Sequence, residues 1–305
     1  MTVFVGCWSV VAGEDFMSSD GLLSSVEGMD KLGYNVNWLK VLTECSDNVE
    51  KSVKPYLKAV SAPQPNLGVG AGGDPIKLVD LAAEKAIIQT FLSHGVSFTL
   101  VSEDSGVKEF GNAPGQVHVT IDPVDGTTNF MHGLPFYATS IAVSSGQRLS
   151  TVYAALVADL VHHVMYTAKK GEGAFRNGEG ISPSQTTMLA EAVVGLDLNT
   201  YKVKELAPKL NSLIAETKHI RHFGANALEL CYVADGKTDA FIDIRGKLRT
   251  TDVAAGFLIL MEAGGVLTTP EGEALDTVLD PKQTVKFIAA GNRKIHSTIL
   301  EKLKT

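Results

Sequence analysis

Residues 121–130 read IDPVDGTTNF and follow a strand-like run, VHVT, at 117–120. Two carboxylates three residues apart, Asp122 and Asp125, leave that run through Pro123. Proline fixes φ and offers no ladder N–H, so the strand is expected to stop here and both acids to face one point. Gly126, Thr127 and Thr128 come next, and a turn of helix beginning at them would aim backbone N–H groups and a positive dipole end at the same spot. Carboxylates beside an anion cradle are reconciled by a divalent cation, because Mg²⁺ takes one or two carboxylates together with phosphate oxygens and waters. The competing reading is a capped turn in which both aspartates bond local amides, and the stretch by itself weighs the two evenly.

On the N-terminal side, Leu39, Leu42, Val49, Val53, Tyr56, Leu57 and Val60 recur at helical spacing, with Pro55 expected to shorten the end. A second helix carries Leu81, Ala82, Ala86, Ile87 and Phe91 on one side and stops at Gly95. Strands are expected at 97–101, 117–121, 138–144, 149–157 and 163–168, a largely antiparallel sheet under two helices. After Gly180 strand and helix alternate: strands at 192–196, 219–223, 240–243 and 285–290, helices at 203–217, 225–234, 252–263 and 294–302. That is the rhythm of an α/β layer. The polar run SPSQTT at 182–187 marks a boundary, giving an N-terminal extension over 1–28, an α+β domain over 29–183 and an α/β domain over 184–305. The extension is expected to be loosely ordered, with Met17 and Met29 as alternative starts.

Acidic residues recur at the ends of these elements. Glu103 and Asp104 follow the strand FTLV, Asp252 opens the helix TTDVAAGFLILMEAGG, and Asp80 opens LAAEKAIIQTF. Taken singly, Asp80 and Asp252 read as N-caps. Together with the two aspartates of the motif they make a cation-binding set plausible on chemistry. The whole chain of 305 residues carries 27 Lys and Arg against 34 Asp and Glu, a net charge of −7. That sign disfavours nucleic acid and anionic membranes. Three cysteines without CxxC spacing support neither a disulfide framework nor a zinc site, so a cytoplasmic setting is expected. His132, His162 and His163 lack a carboxylate at ligand spacing and are expected in strands or loops. GVGAGG at 68–73 lacks a P-loop Lys and Ser/Thr and is expected to be a flexible loop.

DPVDGTTNFMHGLPF, with SEDS upstream and TDVAAG downstream, resembles the inositol monophosphatase family of Mg²⁺-dependent, lithium-sensitive phosphatases. GDPIKLVDLAAEKAI, KKGEGAFRNG and RHFGANALELCYVADGKTDAFIDIRGKLRTTDVAAG fall in the order that family shows, over about residues 36–305. The likeness is greatest to archaeal members acting on both inositol-1-phosphate and fructose-1,6-bisphosphate. It implies a layered α-β-α-β-α sandwich, an α/β fold class with an α+β N-terminal part, and a homodimer or dimer of dimers. The implied reaction is hydrolysis of small sugar or polyol phosphate monoesters. A nucleotide 3′,5′-bisphosphate phosphatase is the alternative, and a non-catalytic metal- or phosphate-binding regulator a more distant one.

Residue by residue, the resemblance assigns two to three Mg²⁺ ions to Glu103, Asp122, the carbonyl of Val124, Asp125 and Asp252, with Asp80 and Glu103 sharing the weakest site. Asp80 and Thr127 match the pair that orients and deprotonates water. Gly126, Thr127 and Thr128 match the phosphate cradle, and Gly224, Ala225, Asn226 and Ala227 the turn against the sugar ring. Two positions depart from the pattern. Thr251 stands where many members have Trp, and Arg245 where animal members carry a Glu that bonds inositol. Arg245, Lys247 and Arg249 alternate, so in an extended strand they would share one face able to hold a second phosphate. A solvated basic loop is the ordinary alternative.

Overall fold

Asn37 starts the described fold by capping α1 (Trp38–Val53), its side-chain oxygen accepting the Lys40 N–H at 3.2 Å. Residues 36–59, 65–198 and 202–304 are described in the computed structural model, and the expected extension over 1–28 lies outside them. Trp38, Val41, Leu42, Cys45, Val49 and Val53 form the buried stripe of α1. The helix gives way at Lys54 to a 3₁₀ turn containing Pro55, which has no N–H to continue the α ladder. In α2 (Leu78–Ser93) the buried face is Val79, Ala83, Ile87 and Phe91, and Asp80 and Glu84 turn inward with it. Leu81 lies outside. The expected face was therefore rotated: this helix is apolar nearly all round, and periodicity cannot choose among its sides.

Eight strands make the first sheet: β1 (Phe98–Ser102), β2 (Gly106–Phe110), β3 (His118–Asp125), then, after the short helix α3 (Thr127–His132), β4 (Ala138–Ser144), β5 (Val152–Asp159), β6 (Val164–Lys169), β7 (Gly173–Arg176) and β8 (Glu179–Gly180). They lie in the order β2-β1-β3-β4-β5-β6-β7-β8. Every pair is antiparallel except β1–β3, which is parallel. β2, β7 and β8 were not foreseen, being short strands set among turn glycines. Nor does β3 stop at Ile121. It runs through Pro123 to Asp125, the register against β4 slipping between Asp122 and Asp125. Pro123 sits in that bulge, where no ladder donor is required.

The second half is β9 (Val193–Leu196), α4 (Val203–Glu216), β10 (His219–Arg221), α5 (Asn226–Ala234), β11 (Ala240–Arg249), α6 (Thr250–Glu262), β12 (Val266–Thr268), β13 (Thr284–Ala290) and α7 (Arg293–Lys304). Its sheet runs β10-β9-β11-β13-β12. β11 is longer than expected and bulges between Asp243 and Leu248. Apolar side chains of α5 and α6 fill the space between the two sheets, where Leu228, Val253, Ala254 and Ile259 meet Ala142, Ala155, Phe241 and Phe287. Leu210 and Leu213 of α4 and Ile295 and Ile299 of α7 cover the outer face of the second sheet on Ile242 and Ile288. Helices α1 and α2 cover the first sheet, completing an α-β-α-β-α sandwich. The strands divide between Gly180 and Val193, yet the shared central helices make residues 37–305 one compact unit. Among the described residues no helix is long and apolar enough to cross a membrane.

Candidate active site

Pairing of β1 with β3 builds the centre of the site. The register sets Ser102 opposite Ile121, so Glu103, just past the end of β1, stands beside Asp122, which is still within β3. Asp252 arrives from the first turn of α6, and Glu103, Asp122 and Asp252 each offer an oxygen within 4.8 Å of the others. Asp80 and Asp252 are the third helical residue of their helices rather than N-caps. Each reaches back to the N–H preceding its helix: Lys77 N–H donates to Asp80 at 3.3 Å and Arg249 N–H to Asp252 at 2.8 Å. The Thr127 hydroxyl donates to the Val124 carbonyl at 2.8 Å and lies 3.3 Å from Asp80 Oδ1. The loop at 68–73 is seated on this strand end, Gly72 N–H donating to Glu103 O at 2.8 Å and Ala71 N–H to Asp104 O at 3.0 Å.

Burial and mutual repulsion govern the electrostatics. Asp122 is pushed well above the usual carboxylate range by burial first, then by Glu103, Asp125, Asp252 and Asp80. Glu103 is raised to about 9 by burial and Asp252, with Arg249 opposing. Asp80 is raised to about 7 by burial and Asp104, and Asp252 is raised by burial. Each group thus resists ionising beside the others. A cation relieves that repulsion directly. The converging donors are carboxylate oxygens with no His or Cys among them, which suits a hard divalent ion such as Mg²⁺ and fits the expected metal.

Asp125 is not in that group of three. Its two oxygens accept the first N–H groups of α5, Asn226 at 2.9 Å and Ala227 at 2.7 Å, and it is raised to about 7 by burial and Asp252. Those amides lie a hundred residues further along the chain, so Asp125 caps a distant helix instead of bonding local amides as the capped-turn reading has it, and an ionised carboxylate keeps lone pairs beyond two hydrogen bonds. The same contacts join the DPVDG motif to the turn Gly224–Ala227. Gly126 sits at φ +87, and a Cβ there would lie 3.0 Å from Ala225 Cβ and 3.1 Å from the Phe136 carbonyl, so only glycine fits both the turn and the approach. Thr128 is exposed and its carbonyl meets His132 Nδ1 at 2.8 Å.

The basic positions divide. Arg245 does not present a free guanidinium: it is buried between Asp197 and Asp243, bonding Asp243 through Nε at 3.0 Å and both acids through Nη2. Arg249 instead bonds Glu103 at 2.7 Å, the Gly72 carbonyl at 3.0 Å and Asp74. The shared face expected from alternation is broken by the bulge and by Gly246 at φ +70. His162 pairs with Asp159 at 2.8 Å and His163 with Glu50 at 3.2 Å.

Two contributors escaped the sequence reading. Glu229 Oε1 accepts the Gly224 N–H at 3.0 Å and the Phe223 N–H at 3.3 Å, and burial raises its carboxyl to about 8. Asn129 Nδ2 donates to the Phe136 and Phe223 carbonyls, both at 2.7 Å. An acid inside the apolar helix ALELC and an amide inside the motif were the available signals.

Comparison with known proteins agrees with this architecture. Residues 38–305 match the model of the inositol monophosphatase family. A Methanothermobacter thermautotrophicus protein named fructose-1,6-bisphosphatase/inositol-1-monophosphatase is 35% identical over 276 residues, covering 88% of this chain and 96% of the relative. A Methanococcus maripaludis bifunctional NADP phosphatase/NAD kinase is 30% identical, covering 87% of this chain and 49% of the relative. A crystal structure described as an inositol monophosphatase–fructose 1,6-bisphosphatase superposes with a TM-score of 0.77 at 29% identity, covering 88% of this chain and all of that one. With the sandwich, the motif order and these likenesses in agreement, the chain belongs to the inositol monophosphatase family and is a phosphoric monoester hydrolase.

Proposed function

We propose that the protein hydrolyses small sugar or polyol phosphates, inositol-1-phosphate and fructose-1,6-bisphosphate foremost, with Mg²⁺ bound at the acidic cluster. The observation that carries this reading is the convergence of Glu103, Asp122 and Asp252 within 4.8 Å, all three raised above ordinary carboxylates. Two to three ions would be held by these acids with the Val124 carbonyl, the remaining lone pairs of Asp125 and, at the weakest site, Asp80. When bound, the ions supply positive charge to the phosphoryl oxygens and increase the acidity of water at the site. Thr127 orients the attacking water, and Asp80 accepts its proton. Asp80 Oδ1 lies 3.3 Å from the Thr127 hydroxyl, which places it for that transfer. Gly126, Thr127 and Thr128 line the phosphate position.

The turn of Gly224, Ala225, Asn226 and Ala227 bears on the alcohol portion of the substrate. It is held by Asp125, Glu229 and Asn129, so the motif that binds the ion also sets the sugar contact. Arg245 belongs to this reading only as a residue that shapes the neighbouring ground, since its charge is already met by two aspartates. A cytoplasmic homodimer or dimer of dimers acting on free small molecules, without nucleic acid or membrane, completes the proposal. The nucleotide alternative draws support from the Methanococcus relative named an NADP phosphatase. Phosphate release from inositol-1-phosphate, fructose-1,6-bisphosphate, adenosine 3′,5′-bisphosphate and NADP, with and without Mg²⁺ and Li⁺, tests both. Mg²⁺-dependent turnover of the first two is expected; release from the nucleotides alone would overturn the sugar phosphate reading.

A further inference from the structure

Arg249 is placed unlike any other cation of the described chain. Its guanidinium bonds Glu103 at 2.7 Å, and the backbone N–H of the same residue holds Asp252 at 2.8 Å, so one residue grips two of the three converging acids. The rest of the guanidinium is fastened to the Gly72 carbonyl at 3.0 Å and to Asp74. The seat is built to shape: a Cβ on Gly72 would fall 2.7 Å from Arg249 Nε and 2.9 Å from Glu103 Cγ. Packing leaves the side chain only 14% exposed. Its charge acts directly on the cluster, lowering Glu103 and Asp252 against the effects that raise them.

From this geometry we infer that Arg249 is an internal competitor for the cation site. It draws on the Glu103 carboxylate that a divalent ion would also use, and so sets the Mg²⁺ concentration at which the site fills. Two cations sharing one carboxylate repel each other across a few ångströms, and in a partly exposed cleft of intermediate dielectric that repulsion is substantial. The opposite outcome is also defined: were Arg249 chiefly a brace that aims Glu103 into the cluster, its loss would weaken ion binding. The inference rests on the cation site of the proposed function and concerns its regulation.

The test reads ion binding and needs no substrate. Mg²⁺ is titrated calorimetrically into the wild-type protein and into Arg249→Gln, Arg249→Met and Arg249→Lys, and thermal unfolding is followed with and without Mg²⁺. Glutamine keeps a donor for Glu103 while removing the charge, and methionine keeps the apolar stem. Both are expected to bind Mg²⁺ about tenfold or more tightly, the scale one unit charge exerts at this range, and to gain more thermal stability from Mg²⁺ than the wild type does. Lysine, which retains the charge, is expected to stay near the wild-type affinity. Unchanged or weaker binding by a folded neutral variant would overturn the competitor role. Absence of Mg²⁺ binding by the wild type would instead overturn the cation site.

Discussion

Asp197 and Asp243 are as deeply buried as Asp122 and Asp252, at 5% and 0% exposure against 6% and 4%. The first two close on the guanidinium of Arg245. The second two face each other and Glu103, with Arg249 bonded only at the edge of the cluster. A buried acid with a matched cation is part of the fold, because removing either partner leaves an uncompensated charge in low dielectric. A buried acid whose neighbours are acids is costly to the fold and is retained for what it binds. Burial alone does not separate a structural carboxylate from a functional one; its charge environment does.

Three substitutions press on this contrast, the largest effect first. Asp122→Asn is expected to lower Mg²⁺-dependent phosphate release by about 10³-fold or more, since it removes a central ligand of the proposed ion site. Thermal unfolding at pH 8 without divalent ions should not fall, because the change relieves repulsion; retention of most activity would break the assignment. Arg245→Ala should destabilise the protein by about 3–5 kcal/mol, as expected when one member of a buried ion group is deleted. Denaturant titration measures this. A selective rise in KM for fructose-1,6-bisphosphate with stability intact would restore Arg245 as a second-phosphate contact.

Glu229→Gln lies between the two cases, because Glu229 is buried, bonds two amides through Oε1 and has no cation partner among its described contacts. Its folded carboxyl keeps its proton up to about 8, against about 4 in an unfolded chain. Such a group contributes stability that is complete below the unfolded value and is lost as pH rises through the folded one. Without divalent ions the wild type should therefore lose stability from about pH 4 to pH 8. Glutamine mimics the protonated form, so the variant should melt close to wild type at pH 5 and several degrees higher at pH 8.5, the gap widening as pH rises toward about 8. Identical pH profiles would show that Glu229 carries no part of this dependence.

Much of the site was legible along the chain. Asp122, Asp125, Glu103, Asp80 and Asp252 could be picked out because acids at strand ends and in first helical turns are local features, and the spacing through Pro123 is carried by ten consecutive residues. Other features were beyond local pattern. α2 is apolar on nearly every side, so its inward face, with Asp80 and Glu84, emerges only when the helix packs on the first sheet. Glu229 sits in an apolar helix turn and acquires its role only when Phe223 and Gly224 fold back onto it.

Composition, element rhythm and one motif determined the class of fold, the family and the acids available for a cation, because each depends on neighbours close in sequence. Which acids converge was decided by the parallel register of β1 on β3 and by a helix that begins more than a hundred residues later. The fates of Arg245 and Arg249, four residues apart on one strand, were decided by a bulge. Its extra residues turn one guanidinium into a buried ion group and the other onto the site, a choice that alternation along an ideal strand cannot express.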